Sequence, residues 1–191
     1  MSSTTTIMTS PNRVKKDTAL NDSVDDNILY PCIVTAQEKE IHPVLGTKLY
    51  SKIKTLISDG TITDGANAEY KTLLDTYIVP CLVQFSFFEV VPNLRLRFVN
   101  NSVVAMGSEQ SQTATAEDIR PILNSANDIA SWYKERLIEY LCSNTGLFPE
   151  YSANTGSDVS PDGRNYTQGL NVDYSYPRDA QRLLKGLLGL A

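Results

Sequence analysis

Hydrophobic residues at spacings of three and four predict four long helices in the middle of the chain. The first helix begins near Leu29 or Tyr30, because Pro31 is tolerated only in a first helical turn. It ends at His42, because Pro43 disfavours helical dihedrals in the residue before it. The first two helices are therefore expected to form an αα unit joined at a corner rich in proline and glycine.

The second and third helices differ in how much of their surface is apolar. Residues 45–57 carry one apolar side, and Gly60 is expected to stop that helix. Residues 70–91 are apolar nearly all round, which is typical of a central, buried helix. Pro80 should kink it, and Pro92 should end it.

The fourth helix has two candidate caps, Thr115 and Asp118. Pro121 favours Asp118, because the proline then lies in the first turn. The apolar pattern that follows includes Ile122 and Ile129, and the helix is expected to end at residues 144–146.

A change of period at residues 94–106 predicts one β-hairpin. Apolar residues, Phe98 among them, alternate there with Arg95 and Arg97, and the two asparagines at 100–101 tolerate the positive φ of a tight turn. An isolated hairpin is only marginally stable, so it is expected to lean on a helix or on a neighbouring subunit.

Both ends of the chain lack a sustained period. Residues 1–26 are rich in Ser, Thr and charge and are expected to form a disordered arm. Residues 147–191 are expected to form an extended tail that ends in a short amphipathic helix at 178–190. Tyrosine provides contact area at low entropy cost, so the tail and the hairpin supply the predicted interface residues: Arg95, Arg97, Phe98, Phe148, Tyr151, Tyr166, Tyr174, Tyr176, Leu183, Leu184, Leu187 and Leu188.

The predicted fold class is therefore mainly all-α. A helical adaptor domain of four helices at residues 27–146, with the hairpin, is flanked by the flexible arm and the extended tail.

Charge and composition exclude several classes of function. Seventeen Lys and Arg residues against 22 Asp and Glu residues give a net charge of -5, which argues against a protein that wraps phosphates. The chain shows no N-terminal signal peptide and no apolar run of roughly 20 residues that could span a membrane. We expect synthesis and use in a cytoplasm.

Candidate chemistry is sparse. The three cysteines lie far apart in apolar helical stretches, so small buried hydrophobes are expected rather than a disulfide or zinc site. The single histidine, His42, is expected to make a helix-end hydrogen bond. With no phosphate loop or hydrolase motif, we predict no enzyme, no metal and no cofactor.

The run at residues 33–46, IVTAQEKEIHPVLG, is followed by Leu49 and Tyr50 and resembles the start of head–tail connector (adaptor) proteins of tailed phages, most of all those of crAss-like and related Bacteroidetes phages. The asparagine pair at 100–101, the helix end at 140–142 and the run LFPEY at 147–151 follow in the same order. The resemblance spans about residues 28–170.

This resemblance implies a structural virion protein in the neck, assembled in the host cytoplasm. Such adaptors form a ring, commonly of twelve copies, docked under the portal, and offer a surface to an adjacent tail or neck protein. DNA passes through the ring without sequence-specific binding, which suits an acidic chain, and no membrane is involved.

Three other readings remain open from the sequence. A non-viral helical adaptor or scaffold would bind a partner protein in a small complex. An enzyme would pair His42 with one of the cysteines, Cys32, Cys81 or Cys142. A DNA-binding module would use basic residues of the arm and the hairpin: Arg13, Lys15, Lys16, Arg95 and Arg97.

Overall fold

The computed structural model describes residues 5–99, 102–105, 115–153 and 158–161, and it is mostly helical. The mainly all-α prediction is thereby confirmed. The α-helices are α1 (Pro11–Asp17), α2 (Asp26–Ala36), α3 (His42–Ser58), α4 (Ala68–Thr72), α5 (Val79–Arg95), α6 (Ala116–Ser143) and α7 (Pro149–Ser152). Helix α5 packs against both α2 and α6, and it also contacts α1, so it is central, as its apolar pattern predicts.

The prediction of a disordered N-terminal arm is wrong for the described residues from 5 to 26. Ser10 caps α1 by accepting a hydrogen bond from the Arg13 N–H, and α1 packs on α2 and α5. Met8 and Val14 are buried in the core, and Ile7, Leu20 and Val24 are partly buried against it. Composition missed this because a short segment with few hydrophobes is ordered only by a surface supplied from elsewhere in the chain.

The corner expected at His42 and Pro43 lies elsewhere. Helix α2 begins at Asp26, capped by the Asp25 side chain, and leads through a π-helical segment, Gln37–Ile41, directly into α3. The helical path breaks instead at Gly46, whose φ of 72° and ψ of 159° lie outside the helical region. Helix α3 then ends at Ser58 with Gly60 in the left-handed conformation, as the Asp-Gly signal predicts.

A second π-helical segment, Leu73–Ile78, joins α4 to α5 just before Pro80. The sequence predicts a kink at Pro80, and the structure has a local widening of the helix just before that residue. Pro92 does not end the helix, which continues to Arg95. A proline inside a helix costs one backbone hydrogen bond and can be tolerated where packing holds the helix on both sides of it.

Two short strands follow α5. Strand β1 (Leu96–Val99) pairs antiparallel with β2 (Ser102–Ala105), in a register that sets Leu96 opposite Ala105 and Val99 opposite Ser102. Arg95, predicted to lie in the hairpin, is the last residue of α5.

Helix α6 starts at a different cap from the one that Pro121 favours. Thr115 is the N-cap, and its hydroxyl accepts from the Asp118 N–H while the Asp118 carboxylate accepts from the Thr115 N–H. Pro121 lies inside the helix. The reciprocal pair satisfies two free N–H groups at once, which decides between the two candidates. The helix ends at Ser143, with Asn144 as its C-cap.

The predicted boundary at residue 146 does not separate a tail from the domain. Phe148 is fully buried and Tyr151 is 8% exposed, and both belong to the core. Helix α7 packs on α3, and Thr47 N donates to Val159 O at 3.0 Å. The domain therefore includes residues 147–153 and 158–161.

Candidate functional site

The residues predicted to form an interface fall into three groups. Phe148 and Tyr151 are core residues, so they are not available to a partner. Arg95 ends α5, and Arg97 and Phe98 lie on β1. The others lie outside the described residues: Tyr166, Tyr174, Tyr176, Leu183, Leu184, Leu187 and Leu188.

Helix α6 presents an apolar stripe to solvent. Ile122, Ile129 and Trp132 lie at positions i, i+7 and i+10, which share one helix face. Their exposed fractions are 49%, 44% and 57%. The core face of the same helix carries the fully buried residues Ala130, Leu137 and Leu141. Helix α6 therefore has two apolar faces, and only one of them is covered.

Acidic side chains run beside this stripe. Glu117, Asp128, Glu135 and Glu139 are all exposed, and their spacing of eleven, seven and four residues aligns them along α6. The Arg136 guanidinium lies 5.8 Å from the Trp132 ring centre and 4.9 Å from that of Tyr77. This "α6 outer face", the apolar stripe with its acidic edge, is the candidate interaction surface.

The sequence pattern contained the stripe but did not identify it. Ile122 and Ile129 fit the helical period, and the pattern alone placed them with the core residues. The sequence signal that could have revealed the exposed stripe was Trp132, which lies three residues after Ile129 and outside the series of residues that face the core. Two apolar faces on one helix are hard to separate by period, because both repeat every 3.6 residues.

A polar cluster surrounds the single histidine. His42 Nε2 lies 3.2 Å from Thr47 Oγ1, and His42 Nδ1 lies 3.4 Å from Glu38 Oε2. The His42 ring stacks on Tyr50, with ring centres 4.5 Å apart. A hydroxyl, an imidazole and a carboxylate in this order are also the parts of a nucleophile relay.

The Thr47 hydroxyl of that cluster is used in contacts that hold the fold together. Thr47 Oγ1 accepts a hydrogen bond of 2.9 Å from the Val159 N–H and lies 3.4 Å from Val159 O. Pro161 lies directly over Gly46, with its Cγ 2.7 Å from where a Cβ would stand. The cluster thus fastens residues 158–161 to α3. His42 contacts Thr47 within it, but lies where the π-helical segment runs on into α3 and not at a helix end as the sequence predicts.

The cysteines of the described core are poor nucleophiles. Burial raises the pKa of the Cys81 thiol to about 12, and burial also raises the pKa of Cys32. A thiol with a raised pKa stays protonated at neutral pH, whereas the thiolate is the reactive form. Cys142 is half-buried, with its sulfur 3.9 Å from the Tyr151 hydroxyl.

Within the described ranges, no group of three or more His, Cys, Asp or Glu residues is placed to hold a metal ion. One helical run there, Gly65–Leu94, is long and apolar enough to cross a membrane by length and composition. Half of its most apolar window is buried inside the fold, and a core helix passes the same test.

No curated protein and no solved structure matches this chain. Residues 41–161 match a family described as a family of unknown function, DUF6712. The match runs from Ile41, the last residue of the π-helical segment, to Pro161, and it includes the whole of α3 and α6. Because it covers more than half of the chain, this protein belongs to the DUF6712 family of unknown function.

Proposed function

We propose that this protein is a structural subunit of a ring that joins the portal of a tailed phage to its tail and continues the DNA channel. The observation that carries the proposal is the α6 outer face. Ile122, Ile129 and Trp132 expose apolar side chains along one face of a helix whose other side is already packed. An exposed apolar stripe with a polar edge is typical of a surface that meets another protein.

A second copy of the chain is the proposed partner of this face. In a closed ring the contact is heterologous, so the α6 outer face of one copy meets a different surface of the next. Tryptophan and arginine are enriched at the centres of such contacts, and Trp132 and Arg136 lie together here. Portal and adjacent tail or neck proteins would meet the two ends of the ring.

The run at residues 33–46 supports the assignment to a connector. It resembles the connector motif, and in this fold it forms the end of α2, the π-helical segment and the start of α3. A net charge of -5 suits a channel wall that must not retain DNA, because like charges repel the phosphate backbone.

The finer architecture belongs to the same proposal. The adaptor domain would consist of four main helices, α2, α3, α5 and α6. The paired strands β1 and β2 would act as one hairpin that reaches a neighbouring copy, with Arg97 and Phe98 on its first strand.

Electron microscopy of purified protein and of virions tests the proposal. Ile129→Glu places a charge on the α6 outer face, where the native side chain is 44% exposed. We expect this variant to keep its helical content by circular dichroism and to lose the ring. Burying an unpaired carboxylate in an interface is costly, so incorporation into virions should fall at least tenfold.

Leu147→Glu is the matched control. Leu147 is 46% exposed and lies beyond the end of α6, so the same chemical change there should leave ring formation intact. Rings formed equally well by both variants, or absence of the protein from the virion neck, would refute the proposal.

A non-viral helical adaptor is the alternative, and it would use the same face for a different protein. It predicts a complex of fixed small stoichiometry in solution and no place in a virion. Light scattering of the protein with its captured partner distinguishes it from a ring.

A further inference from the structure

Helix α2 has an exposed face that complements the α6 outer face. Ile28, Pro31 and Thr35 are exposed, and their positions i, i+3 and i+7 place them on one side of the helix, the "α2 outer face". The other side of α2 is buried and packs on α5, as the core face of α6 does. The two outer faces therefore belong to different helices, and a heterologous ring contact requires two such different surfaces.

Few large apolar side chains of the described fold are exposed outside α6. They are Ile28, at 37%, and Leu147, at 46%. Near Leu147, the Glu150 carboxylate already accepts a hydrogen bond of 2.8 Å from a tyrosine hydroxyl. Near Ile28, Asp25 is exposed, and its bonds to Asn27 go to Oδ1 alone. Ile28 thus lies three residues from a carboxylate that can still accept from a partner.

Arg136 gives the α6 outer face the matching charge. Its guanidinium lies 4.9 Å from the Tyr77 ring centre and 5.8 Å from that of Trp132. Tyr77 in turn stacks on Tyr140, with ring centres 3.9 Å apart. Aromatic rings attract the charge but take its N–H donors only weakly, and within the described ranges no ion pair joins Arg136 to a carboxylate. Arg136 can therefore bind a carboxylate from another copy.

The charges beside the two faces have opposite signs. Helix α1 lies next to the start of α2, where the Lys15 ammonium is 2.7 Å from the Asp26 carboxylate. Arg13, which pairs with Asp17, and Lys16 are exposed on the same short helix. The α6 outer face has an acidic edge instead. Opposite charges on two surfaces favour their encounter and disfavour contact between two copies of the same surface.

We propose that the α2 outer face of one copy is the surface that the α6 outer face of the next copy meets, an inference that rests on the ring proposed above. Antiparallel helices set Ile28 on Trp132. One turn further along, they set Asp25 beside Arg136. A parallel arrangement would bring Asp25 towards Asp128, which the repulsion of like charges opposes.

Mixing variants altered on the two faces tests the contact. Ile28→Glu and Ile129→Glu should each remain monomeric with native helical content by circular dichroism, because each has lost one of the two faces. An equimolar mixture should form a dimer of one copy of each and no ring, since the intact α6 outer face of the first variant meets the intact α2 outer face of the second. Sedimentation velocity measures these species. Trp132→Glu mixed with Ile129→Glu is the matched control and should remain monomeric, because both changes lie on α6.

The ion pair is tested in the same mixed dimer. Arg136→Gln is added to the Ile28→Glu variant and Asp25→Asn to the Ile129→Glu variant, so that each change lies in a face that forms the dimer. Asparagine caps a helix about as well as aspartate does, so Asp25→Asn removes the charge and keeps α2. Each change should weaken the dimer roughly tenfold or more, and both together should weaken it little further, because they remove the same contact.

Three results would overturn the proposal: rings formed by Ile28→Glu, a mixture that remains monomeric, or effects of Asp25→Asn and Arg136→Gln that multiply. Rings that Ile129→Glu abolishes and Ile28→Glu leaves intact refute the α2 contact alone. A mixed dimer that forms as expected, from a protein that is absent from the virion neck, establishes the contact between copies and refutes the proposed place in a virion.

Discussion

Gln37 is a buried amide whose hydrogen bonds hold the N-terminal segment on the helical core. Its Oε1 accepts from Met8 N at 2.8 Å, and its Nε2 donates to Thr6 O at 3.1 Å. The same nitrogen lies 2.8 Å from the Tyr50 hydroxyl, which donates to Glu38 Oε1 at 2.6 Å. One side chain thus satisfies the backbone of a segment that has few apolar residues of its own.

Gln37→Leu should lower the free energy of unfolding by about 2–3 kcal/mol, because it leaves the buried Met8 N–H without an acceptor. Urea denaturation measures the loss, and amide exchange should show Met8 losing protection first. Gln84→Leu, at a half-buried position in α5, is the control and should change stability little. Unchanged protection at Met8 would contradict this account of the N-terminal segment.

Asp118 makes the first turn of α6 sensitive to acid. Hydrogen bonds from the Thr115 hydroxyl and backbone N–H lower the pKa of this carboxyl below its ordinary value of 3.8. The stability that it contributes is therefore present above 3.8 and is lost as the pH falls through the lowered pKa. NMR titration should show the amides of residues 116–119 shifting over that lower range.

Asp118→Asn should abolish the acid-dependent step, because the amide cannot titrate. If Asp118 in the native protein titrates at or above its ordinary value, the reciprocal cap with Thr115 does not form in solution.

Each of the two π-helical segments ends two residues before a proline. Gln37–Ile41 precedes Pro43, and Leu73–Ile78 precedes Pro80. A proline lacks the N–H donor and its ring crowds the carbonyl four residues earlier. A widened turn relieves this crowding without ending the helix. The same device therefore keeps α2 continuous with α3, and α4 continuous with α5.

Substitutions at Gly46 and Gly60 distinguish two costs of an added side chain: strain in the backbone conformation and a clash with a neighbouring residue. Gly46 has φ 72° and ψ 159°, and an added Cβ would stand 2.7 Å from Pro161 Cγ. Gly60 has φ 71° and ψ 8°, with nothing within 4 Å of an added Cβ. Gly60→Ala should therefore cost only the left-handed strain, about 1–2 kcal/mol.

Gly46→Ala should cost about 3 kcal/mol or more, because its backbone region is nearly exclusive to glycine and the methyl group meets Pro161. Thermal unfolding of both variants checks the difference. Pro161→Gly in the Gly46→Ala background should recover part of the loss. Equal costs at the two glycines would show that residues 158–161 do not lie on α3.

At the scale of the whole molecule, the core extends to residues after α6. Phe148 packs edge-on against Tyr70, with ring centres 5.6 Å apart, and lies 6.1 Å from the Tyr140 ring. The Tyr70 hydroxyl donates to Glu150 at 2.8 Å, and burial, followed by the contact with Glu150, raises the pKa of Tyr70 to about 12. Residues 148–151 therefore close the core on the side of α4.

Phe148→Ala should lower the free energy of unfolding by about 3–5 kcal/mol, the cost of a large cavity in a core. Leu147→Ala, at an exposed neighbouring position, should cost less than about 1 kcal/mol. Denaturant titration compares the two. A Phe148→Ala variant as stable as the native protein would contradict the assignment of Phe148 to the core and would favour its predicted place in an interface.

The sequence alone determined the helical class, the central place of the most apolar helix and the stops at Gly60 and Asn144. These features depend on local signals, namely the period of hydrophobic residues and the conformations that Gly, Asn and Asp favour. Such signals act over a few residues, so they can be read without knowing what lies opposite them.

Tertiary structure decided the rest. The anchoring of Met8 and Val14, the burial of Phe148 and the break at Gly46 under Pro161 all depend on contacts between residues far apart in the chain. The exposure of Ile122, Ile129 and Trp132 depends in the same way on which face of α6 meets α5. Hydrophobic burial has no direction of its own, so a period shows that a face is apolar, and only the packed fold determines whether it is covered.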